Sequence, residues 1–280
     1  MGLFPAANPK ASLFLMAGRS EFMEKYFEVI TDLHARGFNV VSMDWRGQGL
    51  SGRALPDPQK GHVASFDLFV DDIDLMTEEL LRPRYQGPYF LMTHSMGGLP
   101  TLQMLARGDD RFKAAVLCAP MTQLFDDTAK RASVRMLCNL ATTIGLGRQS
   151  IPGVKEHSLD FEGNNLTSDK ARHTRFRLLQ EAEPRAILRE PTYGWLKAAH
   201  DAIDEIHKPD HFKGLKTPVR IISAEKDELV SSADHQWLAE QSSLIDCVTI
   251  TGALHEILME QDHLRAAYWK AFDEFVERFL

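Results

Sequence analysis

Residues Tyr89-Phe90-Leu91-Met92-Thr93-His94-Ser95-Met96-Gly97-Gly98 decide how the rest of the chain is read. Phe90, Leu91 and Met92 form a short apolar run after Gly87-Pro88, as a central parallel strand requires, and Thr101 to Ala106 supply the helix that follows. The serine falls on the sharp turn between them. Gly97 and Gly98 lack Cβ atoms, which lets that helix return close beneath the strand.

Thr93-His94-Ser95-Met96-Gly97 resembles the nucleophile elbow of the α/β-hydrolases, where a strained strand-to-helix turn pushes a serine hydroxyl into the open site. Thr93 replaces the usual first glycine of Gly-x-Ser-x-Gly. A serine in an ordinary connection is the competing reading, and it is disfavoured because two further triad-type residues follow at the right places. The resemblance implies Ser95 as nucleophile and the Met96 backbone N–H as an oxyanion donor.

The composition fits one enzyme-sized unit. A chain of 280 residues that is 44% apolar can bury a large core, and its formal net charge of −7 leaves no basic face for nucleic acid. Three cysteines, Cys118, Cys138 and Cys247, have no metal-type spacing and suggest a reducing compartment without a disulfide. No charged and apolar leader opens the chain, and no run reaches the ~18 apolar residues of a spanning helix. A cytoplasmic protein is expected, at most peripheral to the inner face of a membrane.

Ala11 to Met16 reads as a strand, and Ala17-Gly18-Arg19-Ser20 turns into an amphipathic helix from Phe22 to Arg36, closed by Gly37. In hydrolases of this fold the turn after this strand donates the second oxyanion N–H, commonly within a His-Gly pair. Aligning Ala17-Gly18 with that pair puts the donor at the Arg19 backbone. Few residues precede the strand, so the hairpin that usually starts the fold is expected to be shortened or absent. Asn39 to Met43 is the next strand. It leads into Asp44-Trp45-Arg46-Gly47-Gln48-Gly49-Leu50-Ser51-Gly52, which contains a literal Gly-x-Gly-x-x-Gly string. A dinucleotide site is rejected, because Pro56 and Pro58 follow where a helix should open. Asp44 to Ser51 instead resembles a loop of the lysophospholipase and monoacylglycerol-lipase branch of the α/β-hydrolases, with glycines for backbone packing and no assigned chemistry. The cluster Asp67, Asp71, Asp72 and Asp74 reads as a solvated helix face, and Cys118 as a small core residue.

Beyond Pro120 the alternation of strand and helix stops. Residues 121–213 read as a helical cap inserted into a hydrolase core formed by residues 1–120 and 214–280. Met136, Leu137, Leu140 and Ile144 recur at helical spacing, and packing within the cap is favoured over an acyl groove. Pro191-Thr192-Tyr193-Gly194-Trp195-Leu196 resembles a cap segment of the same branch, which points to Trp195 and Tyr193 as substrate-facing. His207 and His211 are four apart, but Pro209 between them argues against a metal pair.

Pro218 to Ala224 resumes the strand pattern, and Glu225-Lys226-Asp227-Glu228 occupies the following turn. Hydrolases of this fold carry the triad acid there. Asp227 matches, with Glu225 and Glu228 as fallback acids. Asp246 to Ile250 is the last strand, and Thr251-Gly252-Ala253-Leu254-His255-Glu256 presents a histidine on the loop leaving it. Met259 rules out a zinc-protease motif beginning at His255-Glu256. A final helix is expected from Gln261 to Leu280.

The order Ser95, Asp227, His255 is that of the α/β-hydrolases. The expected architecture is α/β, a mostly parallel sheet flanked by helices with a helical cap insertion. The resemblance implies a serine hydrolase cleaving carboxylic esters, most plausibly monoacyl lipids such as a lysophospholipid or monoacylglycerol, with no metal and no cofactor. Aminopeptidase or amidase chemistry on the same triad is the second enzyme reading, for which Asp126, Asp127, Glu156, Asp160 and Glu162 would hold a substrate ammonium. A hydrolase-fold binding protein without turnover is the reading from another class. Peripheral membrane contact is to be sought at the cap, and the oligomeric state is left open.

Overall fold

The structure is a computed structural model and describes residues 1–152 and 160–280. Seven strands form one sheet in the order β1-β3-β2-β4-β5-β6-β7. They are β1 (Gly2–Phe4), β2 (Ala11–Met16), β3 (Phe38–Met43), β4 (Tyr89–His94), β5 (Ala114–Cys118), β6 (Val219–Ala224) and β7 (Ile245–Ile250). All neighbours are parallel except β1, which runs antiparallel to β3 with Gly2 opposite Ser42. Ahead of β2, the described residues supply one three-residue edge strand, β1.

The central strands are apolar on both faces, which is why their sequences read as runs without alternation. One face of β2 and β4 turns Phe14, Met16 and Leu91 toward one core layer. The other turns Leu13, Leu15, Phe90 and Met92 toward the opposite layer. The first layer is covered by α2 (Asp67–Met76), α4 (Gly98–Ala106) and α8 (Ser232–Gln241), and the second by α1 (Phe27–Ala35) and α9 (Asp262–Val276). A π-helical turn at Thr77–Leu81 joins α2 to a last helical turn, α3 (Arg82–Arg84). Each fully buried Leu, Met or Phe here contributes about 1.5–3 kcal/mol of transfer free energy.

Two boundaries differ from the pattern. Helix α1 is preceded by a 3₁₀ turn at Met23–Tyr26, and α9 ends at Val276, four residues before the terminus. There Phe279 N–H donates to the Val276 carbonyl at 2.9 Å and the Phe279 ring packs edge-on against Phe275.

Between β5 and β6 lie α5 (Thr128–Thr143), α6 (Lys170–Ala182) and α7 (Tyr193–Ile206). Each has a side-chain N-cap: Asp127 accepts from Ala129 and Lys130, Asp169 from Arg172, and Thr192 from Trp195. Helix α7 buries Trp195, Leu196, Ala199, Ile203 and Ile206 against the core. Helix α5 corrects the packing reading of its stripe. Met136 is 70% exposed, Leu137 48%, Leu140 59% and Ile144 62%. Helical spacing establishes that these side chains share a face, and here that face is exposed, while Cys138 and Ala141 of the same helix are buried. Among the described residues no helix is long and apolar enough to cross a membrane.

Candidate active site

Strand β4 delivers Ser95 at φ +48°, a left-handed conformation that costs a non-glycine residue about 1–3 kcal/mol. The surroundings hold it there. Met121 N–H donates to the Ser95 carbonyl at 2.9 Å, while a Cβ on Gly97 would approach the Ala17 carbonyl oxygen to 2.9 Å and one on Gly98 the Pro120 Cβ to 2.4 Å. Glycine is therefore required after the serine. Before it, the Thr93 side chain is accommodated within the sheet and fully buried.

Ser95 Oγ lies 2.9 Å from His255 Nε2, and His255 Nδ1 lies 2.7 Å from Asp227 Oδ2. The other Asp227 oxygen accepts the Leu229 and Val230 N–H groups at 2.8 and 3.0 Å. Burial works against ionisation of this carboxyl, but His255 and the two amides outweigh it and its pKa is lowered. The neighbouring acids are engaged elsewhere: Glu225 accepts from Gly252 N–H and Glu228 from Asn165. The structure thus brings Ser95, His255 and Asp227 into one hydrogen-bonded line. The His255 loop is tied down by Glu260, fully buried, which accepts from Leu254 N–H at 2.9 Å and from Ser168 N–H at 2.9 Å.

The turn after β2 lies against Ser95, since a Cβ on Gly18 would come within 3.1 Å of Ser95 Cβ. Gly18 N–H donates to Glu21 at 2.5 Å and Ser20 N–H to Gln48 at 3.4 Å, so the Arg19 amide sits between two held neighbours. The Asp44–Gly52 loop provides much of this support. Trp45 Nε1 donates to the Ala17 carbonyl at 2.8 Å, Gln48 Nε2 to the Gly18 carbonyl at 2.7 Å, and Asp44 accepts from Met23 and Leu50 N–H. The loop shapes the turn beside Ser95 through its side chains, in addition to the backbone packing expected of its glycines.

Sequence reasoning missed a buried charge cluster beneath the site. Glu21 accepts from Tyr26 OH at 2.6 Å and Lys25 Nζ at 2.6 Å and meets His94 Nδ1 at 3.2 Å, while Lys25 also pairs with Glu256 at 2.5 Å. Burial alone would raise the Glu21 pKa, but Lys25 and His94 hold it well below the ordinary value. Lys25 and His94 are raised in turn, the cost of burial being outweighed by Glu21 and, for Lys25, Glu256. A Glu and a Lys four apart on a helix start read as a surface pair. Only the position of His94 next to Ser95 hinted otherwise.

Trp195 is buried between Phe66, at a ring separation of 5.7 Å, and the guanidinium of Arg19, 5.2 Å from its centroid. Tyr193, half-buried, begins α7 with its N–H donating to the Gln149 carbonyl. His207 has both ring nitrogens engaged, by Asp234 at 2.8 Å and the Ile203 carbonyl at 2.7 Å, which leaves no lone pair for a metal. Cys118, Cys138 and Cys247 are thiols, with Cys118 in the core. Of the acids named for an ammonium site, Glu156 lies outside the described residues and Asp127 is engaged in capping α5.

The sheet order and the serine turn after a central strand define an α/β-hydrolase. The chain belongs to the Hydrolase_4 family, described as serine aminopeptidase, S33, which it matches over residues 7–262. It is 29% identical to a probable lysophospholipase L2 of Haemophilus influenzae over 97% of this chain and 85% of that one. It is also 29% identical to lysophospholipase L2 of Escherichia coli K12 over 98% and 83%. Its fold is similar to that of a monoacylglycerol lipase of Paleococcus ferrophilus, with a TM-score of 0.77 and 20% identity over 100% of this chain and 98% of that one.

Proposed function

We propose that this protein hydrolyses the carboxylic ester of a monoacyl lipid, a lysophospholipid or monoacylglycerol, through an acyl-enzyme on Ser95. The observation that carries the reading is the line Ser95 Oγ, His255 Nε2, His255 Nδ1, Asp227 Oδ2, at 2.9 and 2.7 Å, on a strained turn. A serine hydroxyl is a poor nucleophile at neutral pH, so neutral His255 takes its proton as it attacks the ester carbonyl. Asp227, kept ionised, fixes the tautomer that points Nε2 at the serine and stabilises the imidazolium. The Arg19 and Met96 N–H groups bind the developing oxyanion, each contributing up to ~3 kcal/mol. His255 then protonates the leaving alcohol, and water, activated by the same imidazole, releases the fatty acid.

Residues 121–213 act as a cap over this site, with Trp195 and Tyr193 facing the substrate. The exposed stripe Met136, Leu137, Leu140 and Ile144 is the surface on which the cap would meet a membrane. Long acyl chains are the expected substrates, because each methylene buried contributes roughly 0.8 kcal/mol at most.

The test is kcat/KM for esters from C2 to C12 below micelle-forming concentrations, beside a lysophospholipid, a monoacylglycerol and an alanyl amide. The reading requires that the monoacyl lipids be cleaved and that rates rise with chain length. An amide cleaved faster than every ester would replace it with aminopeptidase chemistry.

A further inference from the structure

The Arg19 side chain differs from the ion-paired arginines of the fold. Arg36 pairs with Asp273, Arg111 with Asp74 and Asp109, Arg172 with Glu28, and Arg265 with Asp32. The Arg19 guanidinium has no carboxylate within ion-pairing distance among the described residues. Its hydrogen bonds run to neutral oxygens, from Nη1 to Ser20 Oγ at 3.0 Å and from Nη2 to the Arg189 carbonyl. Its Nε is buried and has no partner among the described residues. Burial lowers its pKa to about 10, the distant charge of Glu190 compensating only in part, so the group is still a cation at neutral pH. Arg19 is partly buried, and it is the Nε–H donor that is withdrawn from water without a partner, which is costly.

The backbone that carries this cation lies beside Ser95. Gly18, the preceding residue, abuts Ser95, and the side chain runs from there beneath Trp195 and the Arg189–Glu190 strap. In a lysophospholipid the glycerol backbone separates the ester from the phosphate by about the reach of an arginine side chain. One residue would then hold both ends of the headgroup, the carbonyl oxygen through its amide and the phosphate through its guanidinium. Arginine's planar fork, Nε together with an Nη, suits two phosphate oxygens, and the buried Nε–H would gain its partner.

We propose that Arg19 recognises the phosphate of the substrate headgroup and makes this enzyme select lysophospholipids over neutral monoacylglycerols. This rests on the monoacyl-ester reading of the Ser95 site and narrows it to one substrate class.

The experiment compares oleoyl lysophosphatidylcholine, oleoyl lysophosphatidylglycerol and monooleoylglycerol, all below micelle-forming concentrations, on wild type, Arg19→Met and Arg19→Lys. Wild type is expected to favour both phosphate lipids over monooleoylglycerol by about tenfold or more in kcat/KM. Arg19→Met should collapse that ratio toward one through KM, and Arg19→Lys should restore part of it, since a point charge replaces the fork. The ratio is read within each variant, so any general loss of rate or stability cancels. A residue that only latched the cap would slow all three substrates alike, leave the ratio unchanged and overturn the proposal. A wild-type ratio near one with every lipid cleaved would also overturn it, while leaving the ester reading intact. If no monoacyl lipid is cleaved, both fall. Inorganic phosphate is added to the monooleoylglycerol assay as a separate arm. Weak inhibition fits a site for a tethered headgroup, whereas inhibition as strong as that by glycerophosphocholine would reassign the site to free phosphate and overturn headgroup selection.

Discussion

The His94 imidazole donates through Nε2 to the carbonyl oxygen of His255 at 3.3 Å, and its Nδ1 faces the Glu21 carboxylate at 3.2 Å. Both partners accept, so each ring nitrogen is placed to donate, and although burial disfavours the charge, Glu21 raises the His94 pKa and favours the imidazolium. The residue before the proposed nucleophile therefore braces the loop that carries the proposed base. Strand β4 and the loop after β7 are far apart in the sheet, and this contact couples them directly.

Replacing His94 by Gln should lower kcat about tenfold with little change in KM, because the His255 loop loses its support while the substrate contacts remain. The stability effect has a definite sign. A folded-state pKa raised above the unfolded value stabilises fully below the unfolded value of ~6.5 and loses that contribution as pH rises through the folded one. The Tm gap between wild type and His94→Gln should accordingly be widest near pH 5.5 and narrow at alkaline pH. A gap that widens with pH would contradict the imidazolium assignment.

Lys25 is buried between two carboxylates, so Lys25→Met should destabilise the fold by about 3–5 kcal/mol by leaving Glu21 and Glu256 underpaired. Adding Glu256→Gln should recover part of the loss. Urea unfolding of both variants measures this, and additive losses would show that Lys25 and Glu256 do not interact.

Because the Asp227 pKa is lowered, that carboxylate stays ionised while the base is titrated. The acid limb of kcat/KM should then show one ionisation, with a slope of one. Asp227→Asn should remain folded and lose about 10³–10⁴ in kcat, whereas Glu225→Gln and Glu228→Gln should stay near wild type. If the latter pair lose activity and Asp227→Asn does not, the acid is misassigned.

The strands, the serine turn and the chain order of the proposed triad were legible because each rests on local pattern: apolar runs, glycines after the serine, an acidic turn leaving β6 with Asp227 among its three acids, and a histidine on the turn leaving β7. The role of Asp44 to Ser51 was half legible. Its glycines signalled a packed loop, but the hydrogen bonds of Trp45 and Gln48 to the Ala17–Gly18 turn depend on how β2 and β3 lie side by side. The cluster of Glu21, Lys25, His94 and Glu256 was invisible, because its members come from three separated segments and only tertiary structure pairs them. The α5 stripe was misread because periodicity gives a shared face and not the direction in which it points.

That stripe yields a test of its own. Met136, Leu140 and Ile144 are more than half exposed, so changing all three to Ser should leave Tm nearly unchanged. Co-sedimentation with phosphatidylcholine vesicles should fall severalfold, with hydrolysis of a dispersed short-chain ester retained. Equal sedimentation of both proteins would remove the membrane role of α5.

The central claim, that Ser95 is the nucleophile of a monoacyl-ester hydrolase, is tested most directly by trapping. Wild-type protein treated with a fluorophosphonate should be labelled at Ser95 alone and lose lysophospholipid hydrolysis in proportion to labelling. Ser95→Ala should fold with nearly the wild-type Tm, take no label and be inactive. A folded Ser95→Ala protein that is still labelled, or still cleaves the lipid at a substantial fraction of the wild-type rate, would contradict the account.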